Sequence, residues 1–184
     1  MININSIKKI IKICNESNVV PIIFGGIGYF LRTFDFEEAN ISKKKYDREF
    51  KDVDIIVSSS DLEKLKNKFI DLGYELDLSC INGYVGFIKK GPKRPYTIED
   101  SSGTELGPKR FSFVDDGLNF DFDALDDYVN RGPHQSVNID EIKFKIASVD
   151  VLVSSLNRKL KNGWYKDNGD KIKVNRRLYY LHKM

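Results

Sequence analysis

Two short runs of this sequence place chemically capable residues at informative spacings. The first is Gly25-Gly26, directly after the apolar run Val19-Val20-Pro21-Ile22-Ile23-Phe24. The second is Arg48-Glu49-Phe50-Lys51-Asp52-Val53-Asp54, which leads into Ile55-Ile56-Val57. A strand ending in glycines leaves bare backbone N–H groups at the start of the next helix, and such groups hold phosphate. Two aspartates at i and i+2 of a strand point to one face, where their hard oxygens suit divalent cations. A third run, Asn119-Phe120-Asp121-Phe122-Asp123, sets two phenylalanines against three polar side chains. That alternation means one buried face and one face turned to a site. A phosphate-holding turn beside cation-holding carboxylates points to chemistry on a nucleoside triphosphate.

At these residues the chain resembles the nucleotidyltransferase superfamily that includes polymerase beta. It is most similar to the small bacterial branch that adenylylates lincosamide and aminoglycoside antibiotics. That branch carries Gly-Gly or Gly-Ser at a strand–helix turn, then Arg-x-x-x-Asp-x-Asp, then a third acidic residue on a later strand. Gly25, Gly26, Arg48, Asp52 and Asp54 match as they stand, and Phe50 departs from the histidine the family often has there. The ordered combination is far more specific than either short motif alone.

The resemblance covers roughly residues 19 to 125 and implies an α+β fold, a nucleotidyltransferase-like mixed β-sheet flanked by helices with further helices at the C-terminus. It implies an enzyme that moves a nucleoside monophosphate from an NTP, ATP being favoured, to a hydroxyl acceptor and releases pyrophosphate. A small molecule such as an antibiotic is the expected acceptor, with two Mg²⁺ ions as cofactors. Asp52, Asp54 and Asp121 would be the catalytic carboxylates and metal ligands. Asp123, on the same face, competes with Asp121 for the third place. Gly25 and Gly26 would hold the β- and γ-phosphates, with Arg48 and Lys51 adding charge beside them. Two other readings stay open. One is transfer to tRNA or protein, as in toxin–antitoxin systems; the other is a non-catalytic module of the same fold that binds nucleotide or a partner protein.

Each feature also has a plainer explanation. Asp52 and Asp54 alone could be a polar strand edge, and a glycine pair alone a structural turn. Lys51 is as readily a solvated loop charge, and Lys43-Lys44-Lys45 reads as a solvated face. Lys93, Arg94, Lys109 and Arg110 recur in two Gly-Pro-Lys-Arg runs, either a charged surface loop or a guide for an acidic acceptor. Trp164 either packs or stacks on the acceptor.

The elements that must position these residues follow from periodicity. Ile7, Ile10, Ile11 and Cys14 form one helical stripe that Asn5 or Ser6 can cap. A strand runs to the glycine pair, 27–32 reads as a helix, and the mostly polar residues 35–51 read as a helix extension plus a loop lying over the site. Residues 53–58 form a strand, Ser60 to Glu63 a capping box, and Leu62, Leu65, Phe69 and Leu72 a core stripe stopped by Gly73. Strands at about 74–79 and 84–89 turn at Asn82-Gly83, and a structureless connection of about twenty residues precedes a hairpin at Asp116-Gly117. Ile142 to Ile146 is a further strand. Ser148 caps a helix carrying Val149, Leu152, Val153, Leu156 and Leu160, and a last helix from Asp170 turns Leu178 and Leu181 inward. Residues 1–147 are expected to be the catalytic domain and 148–184 a helical extension packed on it.

Composition sets the outer limits. The 184 residues suit one domain, and 41% apolar content is enough for a core. Thirty basic residues against 27 acidic ones leave +3, too even a balance to mark a nucleic-acid protein by itself. The first residues lack a signal peptide's apolar stretch, so a cytoplasmic location is expected, with no membrane partner. Cys14 and Cys80 have no metal or redox spacing, and His134 and His182 read as surface residues rather than ligands.

Overall fold

The computed structural model describes residues 4–33, 52–76, 98–99, 105–106, 110–163, 165 and 167–184. Arg48, Lys51, the expected helix extension and loop over 35–51, Cys80, the turn at Asn82-Gly83, the expected strand at 84–89, Lys93, Arg94, Lys109 and Trp164 lie outside them. The elements in chain order are α1 (Ile4–Glu16), β1 (Ile22–Ile23), α2 (Gly25–Arg32), β2 (Asp52–Val57), α3 (Ser59–Asp71), β3 (Ile98–Glu99), β4 (Glu105–Leu106), β5 (Arg110–Asp115), β6 (Leu118–Ala124), α4 (Asp126–Val129), β7 (Gln135–Ile139), β8 (Ile142–Ile146), α5 (Val149–Lys161) and α6 (Asn168–Leu181).

Six strands form one mixed sheet in the order β5-β6-β2-β1-β8-β7, and β3 and β4 pair separately. β6 runs parallel to β2, β1 antiparallel to β2 and parallel to β8, and hairpins join β5 to β6 and β7 to β8. Helices cover both faces, so the fold is α+β, a mixed sheet flanked by helices with two helices at its C-terminal end.

The faces are chemically distinct because side chains alternate along each strand. One core takes Val53, Ile55 and Val57 of β2 with Phe120 and Phe122 of β6, packed under α1 and α3. Phe69 of α3 lies 4.8 Å from the Phe113 ring and 5.5 Å from the Phe122 ring, so the hairpin is anchored by aromatic contacts. The second core holds Ile22, Phe24, Tyr29, Ile56, Leu125, Val151, Leu152 and Leu181, which seats α2, α5 and α6 on the opposite face. That second face is the one the aspartates share.

Local signals set most element ends. The left-handed pair Asp116 (φ 48°) and Gly117 (φ 78°) makes the tight turn between β5 and β6. Gly73 (φ 84°) stops α3, with the Tyr74 amide donating to Phe69 O, a Schellman arrangement. Ser148 Oγ accepts from the Val151 amide and starts α5.

Several expectations need correction. The cap of α3 is Ser58, whose Oγ accepts from the Asp61 amide, two residues ahead of the expected box. Leu72 is 49% exposed because it is the C-cap, past the last buried turn. α1 begins at Ile4, so Asn5 and Ser6 lie within its first turn. α2 already begins at Gly25, and α6 at Asn168 under an Asp167 cap. Tyr74, Glu75 and Leu76 form no strand, and the connection expected to be structureless contains the β3–β4 pair, Ile98 opposite Leu106. Strand β7 alternates only briefly, Val137 and Ile139 against Ser136 and Asn138, and as an edge strand it is exposed along nearly its whole length. His134 is half-buried; its Nε2 lies 2.9 Å from Tyr128 O, and its Nδ1 accepts from the Ser148 amide. Those bonds clip the turn after α4 to the start of α5.

Candidate active site

The parallel register of β2 and β6 sets Asp52 beside Asn119, Asp54 beside Asp121 and Ile56 beside Asp123. Paired residues of adjacent strands share a face, about 4.8 Å apart. Asp52, Asp54, Asp121 and Asp123 therefore form one acidic patch, beside Ile56 and the helices of the second core. The antiparallel hairpin adds Arg110 opposite Asp123 and Ser112 opposite Asp121.

The four carboxylates are not equivalent. Asp123 is 1% exposed and is held by a two-pronged ion pair: Arg110 Nε donates to Oδ1 at 2.5 Å and Nη2 to Oδ2 at 2.7 Å. Asp54 and Asp121 are half-buried, and Asp52, at the strand's start, is exposed. Burial first, then the charges of Asp121 and Asp123, push the Asp54 carboxyl up to about 7 against the pull of Arg110. Asp121 is raised as well. Burial is again the main cause, reinforced by Asp123 and Asp52 and opposed by Arg110 and a hydrogen bond with Asn119. Like charges crowded where water is scarce disfavour ionisation, and a cation would relieve them.

The glycine turn meets this patch directly. The Phe24 amide donates to Asp54 O at 3.0 Å, tying the end of β1 to β2. Gly25 follows at φ +61°, a left-handed backbone that favours glycine. A Cβ built on it would lie 2.7 Å from Asp54 Cγ and overlap the carboxylate oxygen. Both the backbone angle and the carboxylate therefore require glycine here. No side chain caps α2, so the N–H groups of its first turn have no partner one turn back and open beside Asp54. At Gly28 a built Cβ would lie 2.8 Å from Ile23 O, which shows how closely α2 is pressed on β1.

The structure thus brings together Gly25, Gly26, Asp52, Asp54, Asp121 and Asp123. Arg110 is the residue that sequence reasoning misplaced: it heads β5 as a buried partner of Asp123 rather than extending a basic loop. The hairpin itself carried the signal. Counting outward from the two-residue Asp116-Gly117 turn sets Arg110 opposite Asp123. Among the described residues, no three His, Cys, Asp or Glu side chains are already gathered closely enough to hold an ion. Among those residues, too, no helix is long and apolar enough to cross a membrane.

No family model and no curated protein matches the chain. Among solved structures, it is similar to a Thermotoga maritima protein classed as a candidate nucleotidyltransferase. The identity is 15% and the TM-score 0.49, over 100% of this chain and 97% of that one. It is also similar to an antigenic nucleotidyltransferase-like protein of Paracoccidioides brasiliensis, at 14% identity and a TM-score of 0.49 over 96% of this chain and 73% of that one.

Proposed function

We propose that this chain is a Mg²⁺-dependent nucleotidyltransferase that moves a nucleoside monophosphate from an NTP, ATP in the first instance, to a hydroxyl acceptor. One observation carries the reading. The uncapped start of α2 presses on Asp54, and Asp54 pairs in register with Asp121, so the groups that would hold phosphate and the groups that would hold a cation meet at one point.

The residues suit such an ion chemically. Their donors are hard carboxylate oxygens, and Asp54, Asp121 and Asp123 lie together on one face of the sheet. Asp54 and Asp121 would hold the metal, with exposed Asp52 turning in to complete the set. Bound there, Mg²⁺ would neutralise triphosphate charge and make a hydroxyl more acidic. The chain's own groups do the positioning. The amides of Gly25 and Gly26 would take phosphate oxygens, and Asp121 would orient the acceptor hydroxyl and receive its proton. Arg110 occupies both oxygens of Asp123, which favours Asp121 as the third ligand.

A small hydroxylated molecule is the acceptor suggested by the antibiotic-modifying branch. Nine Lys and Arg against three Asp in residues 148–184 favour a second reading, a polyanionic acceptor. The test is a screen of the four NTPs with Mg²⁺ against hydroxylated small molecules and total RNA, following pyrophosphate release. Release that requires both an acceptor and Asp54 supports transfer. Tight NTP binding with no release under any condition would instead indicate a nucleotide-binding module.

A further inference from the structure

The near-even charge of the whole chain conceals a partition. Residues 148–184 carry nine Lys and Arg against three Asp, so this segment holds +6 while residues 1–147 hold −3. The three acids are committed locally or stand apart. Asp167 caps α6, Asp170 pairs with Lys159 at 2.9 Å, and Asp150 lies in the first turn of α5. After Asp170 the sequence has five Lys and Arg, namely Lys171, Lys173, Arg176, Arg177 and Lys183, and no further Asp or Glu.

This charge does not serve the helix. Cations help near a helix C-terminus, yet Lys171 and Lys173 stand in the N-terminal half of α6. Lys173 is also one turn from both Arg176 and Arg177, a like-charge spacing that costs helix stability. Val174, Arg177, Leu178 and Leu181 are the buried side of α6, and Arg177 lies over the Tyr29 ring of α2 at 5.2 Å. The opposite side presents Ile172 at 62% and Tyr179 at 55% exposure, seven residues apart and so on one stripe. Lysines attend the aromatics: Lys183 Nζ lies 4.6 Å from the Tyr179 ring centre, and Lys171 Nζ lies 5.4 Å from that of Tyr165.

An exposed ring flanked by lysines, as Tyr179 is, suits single-stranded nucleic acid, since phosphates take the charge and a base stacks on the ring. An anionic membrane would need a continuous apolar stripe beneath the charge, whereas here Asn175 stands between Ile172 and Tyr179. We infer that the outward face of α6 docks single-stranded RNA, with Tyr179 as a stacking platform and Lys171 and Lys183 on the phosphates. α6 packs through Leu181 into the same core as Phe24 and Ile56, on the side of the sheet that carries the aspartates. A strand held on α6 therefore lies on the catalytic side. The inference rests on the transferase reading for its purpose, where it names the acceptor as RNA, but not for the binding itself.

The test uses the full chain carrying Asp54→Asn to prevent turnover, with a fluorescent 16-nucleotide oligouridylate followed by anisotropy at 50 and 200 mM salt. Duplex DNA of equal length and vesicles containing phosphatidylserine are measured beside it. Tyr179→Ala should weaken oligouridylate binding about tenfold and Tyr179→Phe should leave it unchanged. Lys171→Glu with Lys183→Glu should weaken it further and flatten the slope of log affinity against log salt by about 1.4. Circular dichroism melts confirm that each variant is folded, which is expected because these side chains are exposed. No binding, binding indifferent to all three changes, or binding to vesicles alone overturns the inference. If RNA binds as expected but the parent chain, with Asp54 intact, releases pyrophosphate from no NTP, the docking face stands and the transferase reading falls. Transfer to small molecules by a chain that ignores RNA has the opposite meaning.

Discussion

Replacing Gly25 by alanine tests how the glycine turn and the carboxylates depend on each other. The new Cβ brings two costs. One is conformational, since φ +61° is left-handed and costs an L-residue about 1–2 kcal/mol. The other is steric: carbon atoms rest about 3.5–4.0 Å apart, so a Cβ at 2.7 Å from Asp54 Cγ must force about 1 Å of movement. α2 cannot supply that movement by sliding, because it is already pressed against Ile23 O at Gly28. The Asp54 side chain must turn away instead. We expect a total loss of about 2–4 kcal/mol, or roughly 5–15 °C in melting temperature for a chain of this length. Displacing a reacting group by about 1 Å costs about a hundredfold in rate. Gly73→Ala is the matched control, because Gly73 is equally left-handed at +84° and a Cβ there would meet nothing within 4 Å. Melting, Mn²⁺ binding by electron paramagnetic resonance and pyrophosphate release are compared in both variants. Gly73→Ala should lose only the conformational part and keep Mn²⁺ binding. If Gly25→Ala were no worse than Gly73→Ala in melting and bound Mn²⁺ normally, the contact with Asp54 would have no functional meaning.

Three further outcomes follow from the same patch. Asp54→Asn should melt no lower than the parent without metal, since it removes one of several crowded carboxylates, yet it should abolish pyrophosphate release; retained turnover refutes the ligand assignment. For the buried Arg110–Asp123 pair, Arg110→Met or Asp123→Leu alone should cost about 3–5 kcal/mol, while the double replacement recovers most of it; additive losses in a thermal double-mutant cycle would count against direct coupling of the two side chains. The third concerns pH. Asp54 titrates near 7 in the folded chain and near 3.8 unfolded, so the folded state binds the extra proton between those values. Its contribution to stability is complete below about pH 4 and is lost as pH rises through 7, by about 2–4 kcal/mol in the absence of metal. The difference in urea-unfolding free energy between parent and Asp54→Asn should therefore shift over pH 4–8, and saturating Mg²⁺ should flatten it; a constant difference without metal would mean that Asp54 stays charged throughout.

What was legible in the sequence is what alternation and turn chemistry encode. Phe120 and Phe122 against Asn119, Asp121 and Asp123 fixed both faces of β6, and Asp116-Gly117 fixed the hairpin before it. Gly73 and Ser148 marked the end of α3 and the start of α5 because left-handed glycine and a capping hydroxyl act within one turn. The start of α2 was less visible, since its cap position is Phe24, which offers the helix no side-chain acceptor. β7 was not legible because its alternation is limited to Val137 and Ile139, too short a run to stand out on an edge strand open to solvent. Arg110 was misjudged because its composition matched the Gly-Pro-Lys-Arg run of which it is the last residue, whereas its role depends on the strand it faces. The meeting of β2 with β6 is not local at all; resemblance to a known family suggested it, and the register makes it concrete.

The central strand carries a consequence for how the molecule comes into being. β1 is only two residues long, and its second edge is closed by β8, on the order of a hundred residues downstream. During synthesis the N-terminal half can assemble α1 and α3 on β2. The far edge of β1 nevertheless stays open until residue 146 has emerged, since Lys145 and Ile146 are its partners. Long-range parallel pairing of this kind is slow and leaves an unpaired apolar edge exposed meanwhile. A nascent chain paused before β8 would therefore already carry all four aspartates without the strand that closes the sheet beneath them, which makes it a natural client for a chaperone.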